Sequence, residues 1–135
     1  MSVLRSETLP VQTKHDIVRA RQAVRTWSRE LGLGLVDQTK MITAASELAR
    51  NTVDHGGGGS MRMEVVEGDR RRGLRLVFED DGPGIPDLER AMRDGYSTGS
   101  GLGLGLSGAR RLVNELDVEA RPEGGTRVSI LRWLP

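Results

Sequence analysis

The sequence predicts a two-layer α/β sandwich, in which a mixed or mainly antiparallel sheet is covered by helices on one face. Two segments with helical periodicity precede the main pair of segments with strand periodicity. No repeated strand-helix-strand unit is visible, which argues against a parallel doubly wound sheet. The length of 135 residues suits one hydrophobic core. Residues 1–135 are therefore expected to form a single domain.

The first two clear segments are predicted to be helices. Apolar residues recur at three- and four-residue steps over residues 14–31, which indicates an amphipathic helix. Glycines at 32 and 34 interrupt the pattern. Asp37 is expected to cap a second helix that runs to Val53. The four glycines at 56–59 end that helix.

Alternating apolar and polar residues predict the central strands. The pattern covers residues 61–65 and 74–78, and the polar stretch between them indicates an antiparallel hairpin. A weaker signal predicts an additional N-terminal strand at residues 3–9.

Residues 80–105 are rich in Gly, Pro, Ser and Asp, and are too long for an ordinary connection in a compact domain. A functional loop or lid is expected there, with a short helix at residues 87–93. A third helix is predicted at residues 106–115. Short strands follow at residues 118–121 and 127–133 around a Glu-Gly-Gly turn.

Composition excludes several classes of function. The formal net charge is +1, so no sign imbalance favours nucleic acid or an anionic membrane. There is no cysteine and no long apolar run, which fits a cytoplasmic protein without a membrane span. The two histidines, His15 and His55, lack the spacing of a metal site.

The first candidate site is the pair Glu47 and Asn51 on the second predicted helix. A spacing of four residues places both on one helix face. A carboxylate can act as a base, and an amide oxygen is a suitable ligand for Mg²⁺. Taken alone, such a pair is far more often a solvated helix face.

The second candidate site is the turn Asp80-Asp81-Gly82-Pro83-Gly84-Ile85, directly after an apolar strand. Glycines permit close backbone approach, and proline stiffens the turn. Asp80 is placed to accept a hydrogen bond from an exocyclic amine such as that of adenine, where guanine carries a carbonyl. The alternative is a plain Gly/Pro turn with an acidic cap.

The third candidate site is a glycine-rich segment that leads into the third predicted helix. Its backbone N–H groups and the helix N-terminus can cradle phosphates. Gly103, Gly105 and Gly108 match the spacing of a dinucleotide fingerprint, but no strand precedes them, and no P-loop motif occurs. The interspersed leucines are too apolar for a solvated linker. The residues expected to contact the nucleotide here are Gly99, Ser100, Gly101, Leu102, Gly103, Leu104 and Gly105.

These motifs resemble those of a known superfamily. In order, they resemble the N, G1, G2 and terminal Thr boxes of the GHKL (Bergerat-fold) ATPases and kinases. The matching residues are Glu47-x-x-x-Asn51, Asp80-x-Gly82-x-Gly84, Gly101-x-Gly103-x-Gly105 and Gly125-Thr126. Within that superfamily the chain is similar to the RsbT-type switch serine/threonine kinases, relatives of the anti-sigma-factor kinases, over nearly its whole length.

The resemblance implies an ATP- and Mg²⁺-dependent serine/threonine protein kinase in a bacterial partner-switching stress pathway, with STAS-domain proteins as substrates. By resemblance, Glu47 is the base, Asn51 binds Mg²⁺, Asp80 holds adenine and Thr126 supports Asp80. The residues at 82, 84, 85 and 99–105 would complete the nucleotide site. A PP2C-type phosphatase regulator or a sigma factor is expected as a second partner.

Other functions are weighed against this one. The main alternative is a nucleotide-dependent binding module that sequesters a sigma factor or activates a phosphatase with little phosphoryl transfer. A stand-alone ATPase is a further alternative. A histidine-kinase catalytic domain is disfavoured because neither histidine lies in an evident phosphoacceptor helix pair. The sequence leaves the oligomeric state open, with a homodimer among the alternatives.

Overall fold

A computed structural model of the chain describes the backbone of residues 1–83 and 102–135, and the side chains of residues 1–83 and 106–135. Within these ranges, three helices and five strands form one sandwich. In chain order they are β1 (Ser2–Val11), α1 (Lys14–Leu31), α2 (Leu35–Asp54), β2 (Gly59–Gly68), β3 (Arg71–Asp80), α3 (Leu102–Leu112), β4 (Glu115–Ala120) and β5 (Thr126–Trp133).

The described strands form one sheet in the order β1-β2-β3-β5-β4, and each neighbouring pair is antiparallel. One face of the sheet packs against the helices, because alternate residues such as Met61, Leu76 and Ile130 are apolar and fully buried. The opposite face carries charged side chains, including Arg62 and Glu79. The predicted two-layer α/β fold with a mainly antiparallel sheet is confirmed.

The hairpin between β2 and β3 is tighter than predicted. Asp69 and Arg70 have φ angles of 50° and 65°, the left-handed region that a two-residue hairpin turn requires. The strands therefore extend through most of the polar connection. The additional N-terminal strand is confirmed as β1, which pairs with β2 along its length.

The start of α2 differs from the prediction. The helix begins at Leu35 after Gly34, and no side chain caps it. Asp37 lies inside the first turn, where its Oδ1 accepts a hydrogen bond of 2.6 Å from the Arg132 guanidinium. The prediction that Asp37 caps α2 is wrong, because the carboxylate pairs with a half-buried arginine of the sheet.

The third helix is displaced toward the N-terminus. It covers Leu102–Leu112 rather than residues 106–115, so four residues of the predicted lid have helical backbone. It ends early because Asn114 joins the sheet: its N–H donates to the carbonyl of Leu131, and its Oδ1 accepts from the N–H of Trp133. Residue 115 is therefore in β4. The helix predicted at residues 87–93 lies outside the described residues.

Among the described helices, none combines the length and the apolar composition needed to cross a membrane.

Candidate nucleotide-binding site

A cleft lies between α2, α3 and the neighbouring ends of β3 and β5. Apolar side chains from all four elements form its walls, and polar groups converge on it from α2 and from the strand ends. Its described lining residues are Leu48, Asn51, Thr52, His55, Gly56, Phe78, Asp80, Leu106, Thr126 and Val128. An apolar slot with a few convergent polar groups is the usual form of a small-ligand site.

Asp80 is held at one end of the cleft by its backbone surroundings. It is the last residue of β3, and its Oδ1 accepts the N–H of Gly82 at 2.9 Å. A Cβ on Gly56 would lie 2.7 Å from Oδ2 of Asp80. Gly125 packs against the Asp80 carbonyl in the same way. Glycine is therefore required on both sides of Asp80, because any larger residue would displace it.

Thr126 reaches the cleft from the first position of β5. Its neighbour Arg127 pairs with Glu79 across β3 and β5, which places Thr126 beside Asp80. The side chain of Thr126 is buried. The structure thus brings Asp80, Gly82 and Thr126 together at one end of the cleft.

Asn51 enters the same cleft from α2. Among the side chains of residues 1–83 and 106–135, the Asn51 amide nitrogen is buried and has no hydrogen-bond partner. The neighbouring Thr52 is satisfied within the helix, since its hydroxyl donates to the carbonyl of Leu48 at 2.9 Å. A buried amide without a partner is costly, and a bound ligand would supply the missing hydrogen bond.

Glu47 lies one turn before Asn51 but lines a different depression. This is a groove of about 290 Å³ between α1 and α2. Oε1 of Glu47 accepts a hydrogen bond of 3.3 Å from Arg50, and the pair is partly exposed to solvent. The groove is lined by Arg21, Ile42, Thr43, Ser46, Glu47 and Arg50. We refer to it as the α1/α2 groove.

On the sheet face opposite the helices, Glu79 precedes Asp80 and is surrounded by arginines. Arg127, Arg62 and Arg121 lie 3.0, 3.2 and 3.5 Å from its carboxylate. Burial raises the pKa of Glu79. The hydrogen bond from Arg127 and the charges of the three arginines outweigh burial and hold that pKa below its ordinary value of about 4.5.

Arg121, which follows β4, connects this charged cluster to the cleft. Its Nη1 donates to the carbonyl of Asp80 at 2.7 Å and to Oδ1 of Asp81 at 2.6 Å. Burial lowers the pKa of Arg121, but the hydrogen bond to Asp81 and the neighbouring carboxylates outweigh it and raise the pKa above its ordinary value.

The described residues do not form a metal cage of their own. Among residues 1–83 and 106–135, no group of three or more His, Asp or Glu side chains is placed to hold a metal ion. Mg²⁺ is often bound through one or two protein oxygens together with substrate phosphates. The side-chain amide of Asn51, which lines the cleft, carries one such oxygen and fits that mode of binding.

Several predicted site residues lie beyond the described parts of the chain: Gly84, Ile85, Gly99, Ser100 and Gly101. Leu102, Gly103, Leu104 and Gly105 are described by their backbone alone, which forms the first turn of α3. The sequence did not single out Gly56 or the apolar walls of the cleft. The glycine run at 56–59 predicts a helix end only, and the packing of Gly56 against Asp80 depends on tertiary contacts.

The sandwich and the cleft together define a nucleotide-binding domain of the GHKL ATPase type. The family described as "Histidine kinase-, DNA gyrase B-, and HSP90-like ATPase" matches residues 36–135, and the chain belongs to this family.

Two related proteins indicate to which kind of GHKL protein this chain is similar. The chain is 44% identical over 124 residues to the serine/threonine-protein kinase RsbT of Bacillus subtilis (strain 168), covering 92% of this chain and 93% of the relative. It is 31% identical over 124 residues to the anti-sigma F factor of Clostridium novyi (strain NT), covering 85% and 84%.

The fold resembles that of the RsbU and RsbW domains of a Mycobacterium tuberculosis protein, with a TM-score of 0.64 and 20% identity over 97% of this chain. The chain spans a third of that longer protein. At this identity the likeness concerns the fold. The predicted superfamily and the enzyme class, a GHKL-type serine/threonine protein kinase that uses ATP, are confirmed by the family match and by the Bacillus subtilis relative.

Proposed function

We propose that the chain transfers the γ-phosphate of ATP to a Ser or Thr hydroxyl of a STAS-domain protein, in a cytoplasmic partner-switching pathway. The observation that carries this proposal is the arrangement along α2. Asn51 faces the cleft, and Glu47, one turn earlier, faces the α1/α2 groove. One helix therefore borders both a nucleotide cleft and a surface where a protein acceptor can lie.

Asp80 is proposed to select the base. The apolar walls of the cleft, Leu48, Phe78 and Val128, suit a planar purine ring. Asp80 then accepts a hydrogen bond from the exocyclic amine of adenine, and guanine is rejected because its carbonyl would face a carboxylate. Thr126, beside Asp80, supplies a hydroxyl at the same end of the cleft.

Asn51 is proposed to hold Mg²⁺ together with the phosphates. When bound, Mg²⁺ neutralises charge on the phosphate oxygens. Asn51 contributes a neutral oxygen ligand from a rigid helix. The glycine-rich segment, Gly99–Gly105, and the turn residues Gly84 and Ile85 are proposed to contact the nucleotide. The first-turn amides of α3 support this assignment, because a helix N-terminus attracts phosphate.

Glu47 is proposed to be the base that orients the acceptor hydroxyl and takes its proton. Its carboxylate is about 40° from Asn51 around the helix axis, on the side of the groove. Arg50 holds the carboxylate at 3.3 Å, in a partly exposed pair that an incoming hydroxyl can replace. Arg21 and Arg50 line the groove, so we expect an acidic surface beside the acceptor hydroxyl of the STAS protein.

The test is transfer from labelled ATP, with Mg²⁺, to STAS proteins encoded near this chain. Glu47→Ala is expected to slow transfer about 100-fold or more, the usual effect of losing a general base. It should leave ATP affinity unchanged. Glu67→Ala is the matched control, because Glu67 is also a partly exposed glutamate paired with an arginine, Arg72, and it lies on the distant hairpin.

The outcomes of this test separate the assignments. Undiminished transfer by Glu47→Ala would remove Glu47 from the mechanism. Absence of transfer to every STAS protein, with normal ATP binding, would remove the kinase proposal for these substrates.

A nucleotide-dependent binding module is the second candidate function, and the relatedness to anti-sigma F factors favours it. In this case ATP binding enables the chain to capture a sigma factor or to activate a PP2C-type phosphatase regulator. Complex formation that requires ATP and persists in Glu47→Ala would support the module. Complex formation that is independent of nucleotide would exclude it.

A further inference from the structure

Arg121 makes four polar contacts around the end of β3. Nη1 donates to the carbonyl of Asp80 and to Oδ1 of Asp81, at 2.7 and 2.6 Å. Nη2 lies 2.6 Å from Oε1 of Glu123, and Nε lies 3.5 Å from Oε2 of Glu79. The side chain is 17% exposed. One guanidinium thus contacts both the residue proposed to bind the base and the charged face of the sheet.

The Asp80 carbonyl accepts this hydrogen bond at a place where the described strand ladder supplies no donor. Strand pairing between β3 and β5 stops at Glu79 and Arg127 in the described residues, so Asp80 lies just beyond the ladder on that side. The Arg121 guanidinium donates where a strand neighbour would otherwise do so. Arg121 is itself fixed by the β4–β5 turn, because its N–H donates to the carbonyl of Gly125 at 3.1 Å. Gly125 in turn packs against the Asp80 carbonyl.

We propose that Arg121 is a positioning residue for base recognition: it fixes the backbone of Asp80 and Asp81, and thereby aims the Asp80 carboxylate at the exocyclic amine of adenine. This rests on the proposed role of Asp80 in the base site. Among the described residues Arg121 is not part of the cleft lining, and it contacts Asp80 through the backbone carbonyl, not through the carboxylate proposed to bind adenine. Arg121 therefore affects the orientation of the Asp80 carboxylate, and that orientation decides whether the carboxylate can accept a hydrogen bond from the adenine amine.

The charged face of the sheet provides a matched control. Arg127 donates two hydrogen bonds to Glu79, at 3.1 and 3.0 Å, and no contact to Asp80 is recorded for it among the described residues. Arg127→Ala therefore removes the same charge from the same glutamate while leaving the Asp80 carbonyl and its donor in place. Arg121→Ala leaves Glu79 with Arg127 and Arg62 as partners.

The experiment is a calorimetric titration of Arg121→Ala, Arg121→Lys and Arg127→Ala with two ligands, ATP and purine riboside triphosphate, which lacks the exocyclic amine. Arg121→Ala is expected to bind ATP about tenfold more weakly, the effect of a misaligned hydrogen bond to a charged acceptor. Its affinity for the analogue should stay near that of the wild type. Arg127→Ala should keep the wild-type preference for ATP. Arg121→Lys, which keeps one donor for the carbonyl, should recover part of the preference.

A purely structural role for Arg121 predicts a different pattern. It would lower the affinities for ATP and for the analogue by the same factor, or it would make Arg127→Ala behave like Arg121→Ala. Either result would overturn the positioning role. Urea unfolding of each variant shows whether it is folded at the titration temperature. If Arg121→Ala is not folded, the comparison is made with Arg121→Lys instead.

Asp80→Asn separates this inference from the proposed function. If Asp80→Asn binds ATP as the wild type does, the base site itself is misassigned. If Asp80→Asn loses the preference for ATP while Arg121→Ala keeps it, the base site stands and the positioning role of Arg121 is wrong.

Discussion

Replacing Gly56 with alanine places a methyl group against the side chain of Asp80. The new Cβ would lie 2.5 Å from Cβ and 2.7 Å from Oδ2 of Asp80. Gly56 itself has no positive φ angle, so alanine is not excluded by its own backbone conformation. Asp80 cannot retreat freely, because its Oδ1 is bound by the N–H of Gly82 and its carbonyl packs against Gly125. The expected result is a folded protein with a displaced carboxylate.

The size of the effect follows from what Asp80 must give up. Moving the side chain off its rotamer costs about 0.5–1.5 kcal/mol. Breaking the hydrogen bond from Gly82 to the carboxylate costs about 1.5–3 kcal/mol. The free energy of unfolding should therefore fall by at most about 4.5 kcal/mol. Loss of the hydrogen bond to the adenine amine should lower ATP affinity about 10- to 150-fold.

The assay is calorimetric titration with ATP, combined with urea unfolding of the same sample. Gly108→Ala is the control, because a Cβ at Gly108 meets no described atom within 4 Å. In the interior of α3 that change should raise the free energy of unfolding by up to about 1 kcal/mol and leave ATP affinity unaltered. If Gly56→Ala binds ATP as tightly as the wild type, the assignment of Asp80 to adenine recognition is refuted, because the added methyl group displaces the Asp80 carboxylate.

Three further predictions concern stability and are measured by urea unfolding. Because the folded pKa of Glu79 lies below its ordinary value of about 4.5, its carboxylate stabilises the fold fully above that pH and loses this effect as the pH falls through the folded pKa. The difference between wild type and Glu79→Gln should therefore be largest at neutral pH and shrink in acid; a constant difference would contradict it. Arg132→Ala should cost about 2 kcal/mol by leaving the half-buried Asp37 without its partner, and the double variant Arg132→Ala/Asp37→Ala should recover part of that loss; no recovery would contradict the pairing. Thr13→Ala should cost about 1 kcal/mol, since the Thr13 hydroxyl accepts an N–H at the start of α1; an unchanged midpoint would exclude this cap.

Much of the fold could be predicted because its signals are local. The bounds of α1 follow from its apolar periodicity and from the glycine at its end, and Gly32 indeed has the left-handed conformation expected there. The strands of the central hairpin follow from alternation. The start of α2 could not be predicted in the same way, because the partner of Asp37 is Arg132, 95 residues later. An acidic residue near a helix start indicates a cap unless it forms an ion pair with a cation that is distant in sequence.

The residues of the candidate site also divide into those with a local sequence signal and those whose role depends on distant contacts. Asn51, Asp80 and Thr126 could be selected from their motifs, and the structure gathers them in one cleft. The role of Gly56 could not be selected, because a glycine after a helix is explained by helix termination alone. Arg121 carried no signal either: its importance comes from a carbonyl that lies just past the end of a strand ladder, which no local pattern records.

The position of Glu47 on α2 is restricted by the two depressions that the helix separates. One residue later, Leu48 is 2% exposed and forms part of the cleft wall. A carboxylate at that position would be buried against the adenine ring of the proposed ligand. One residue earlier, Ser46 faces the α1/α2 groove, about 100° further from Asn51 around the helix. Position 47 alone among these three borders the groove while remaining one turn from Asn51. Under the proposed function, a general base at position 47 meets a protein hydroxyl without entering the nucleotide cleft, which suits transfer between two separately bound partners.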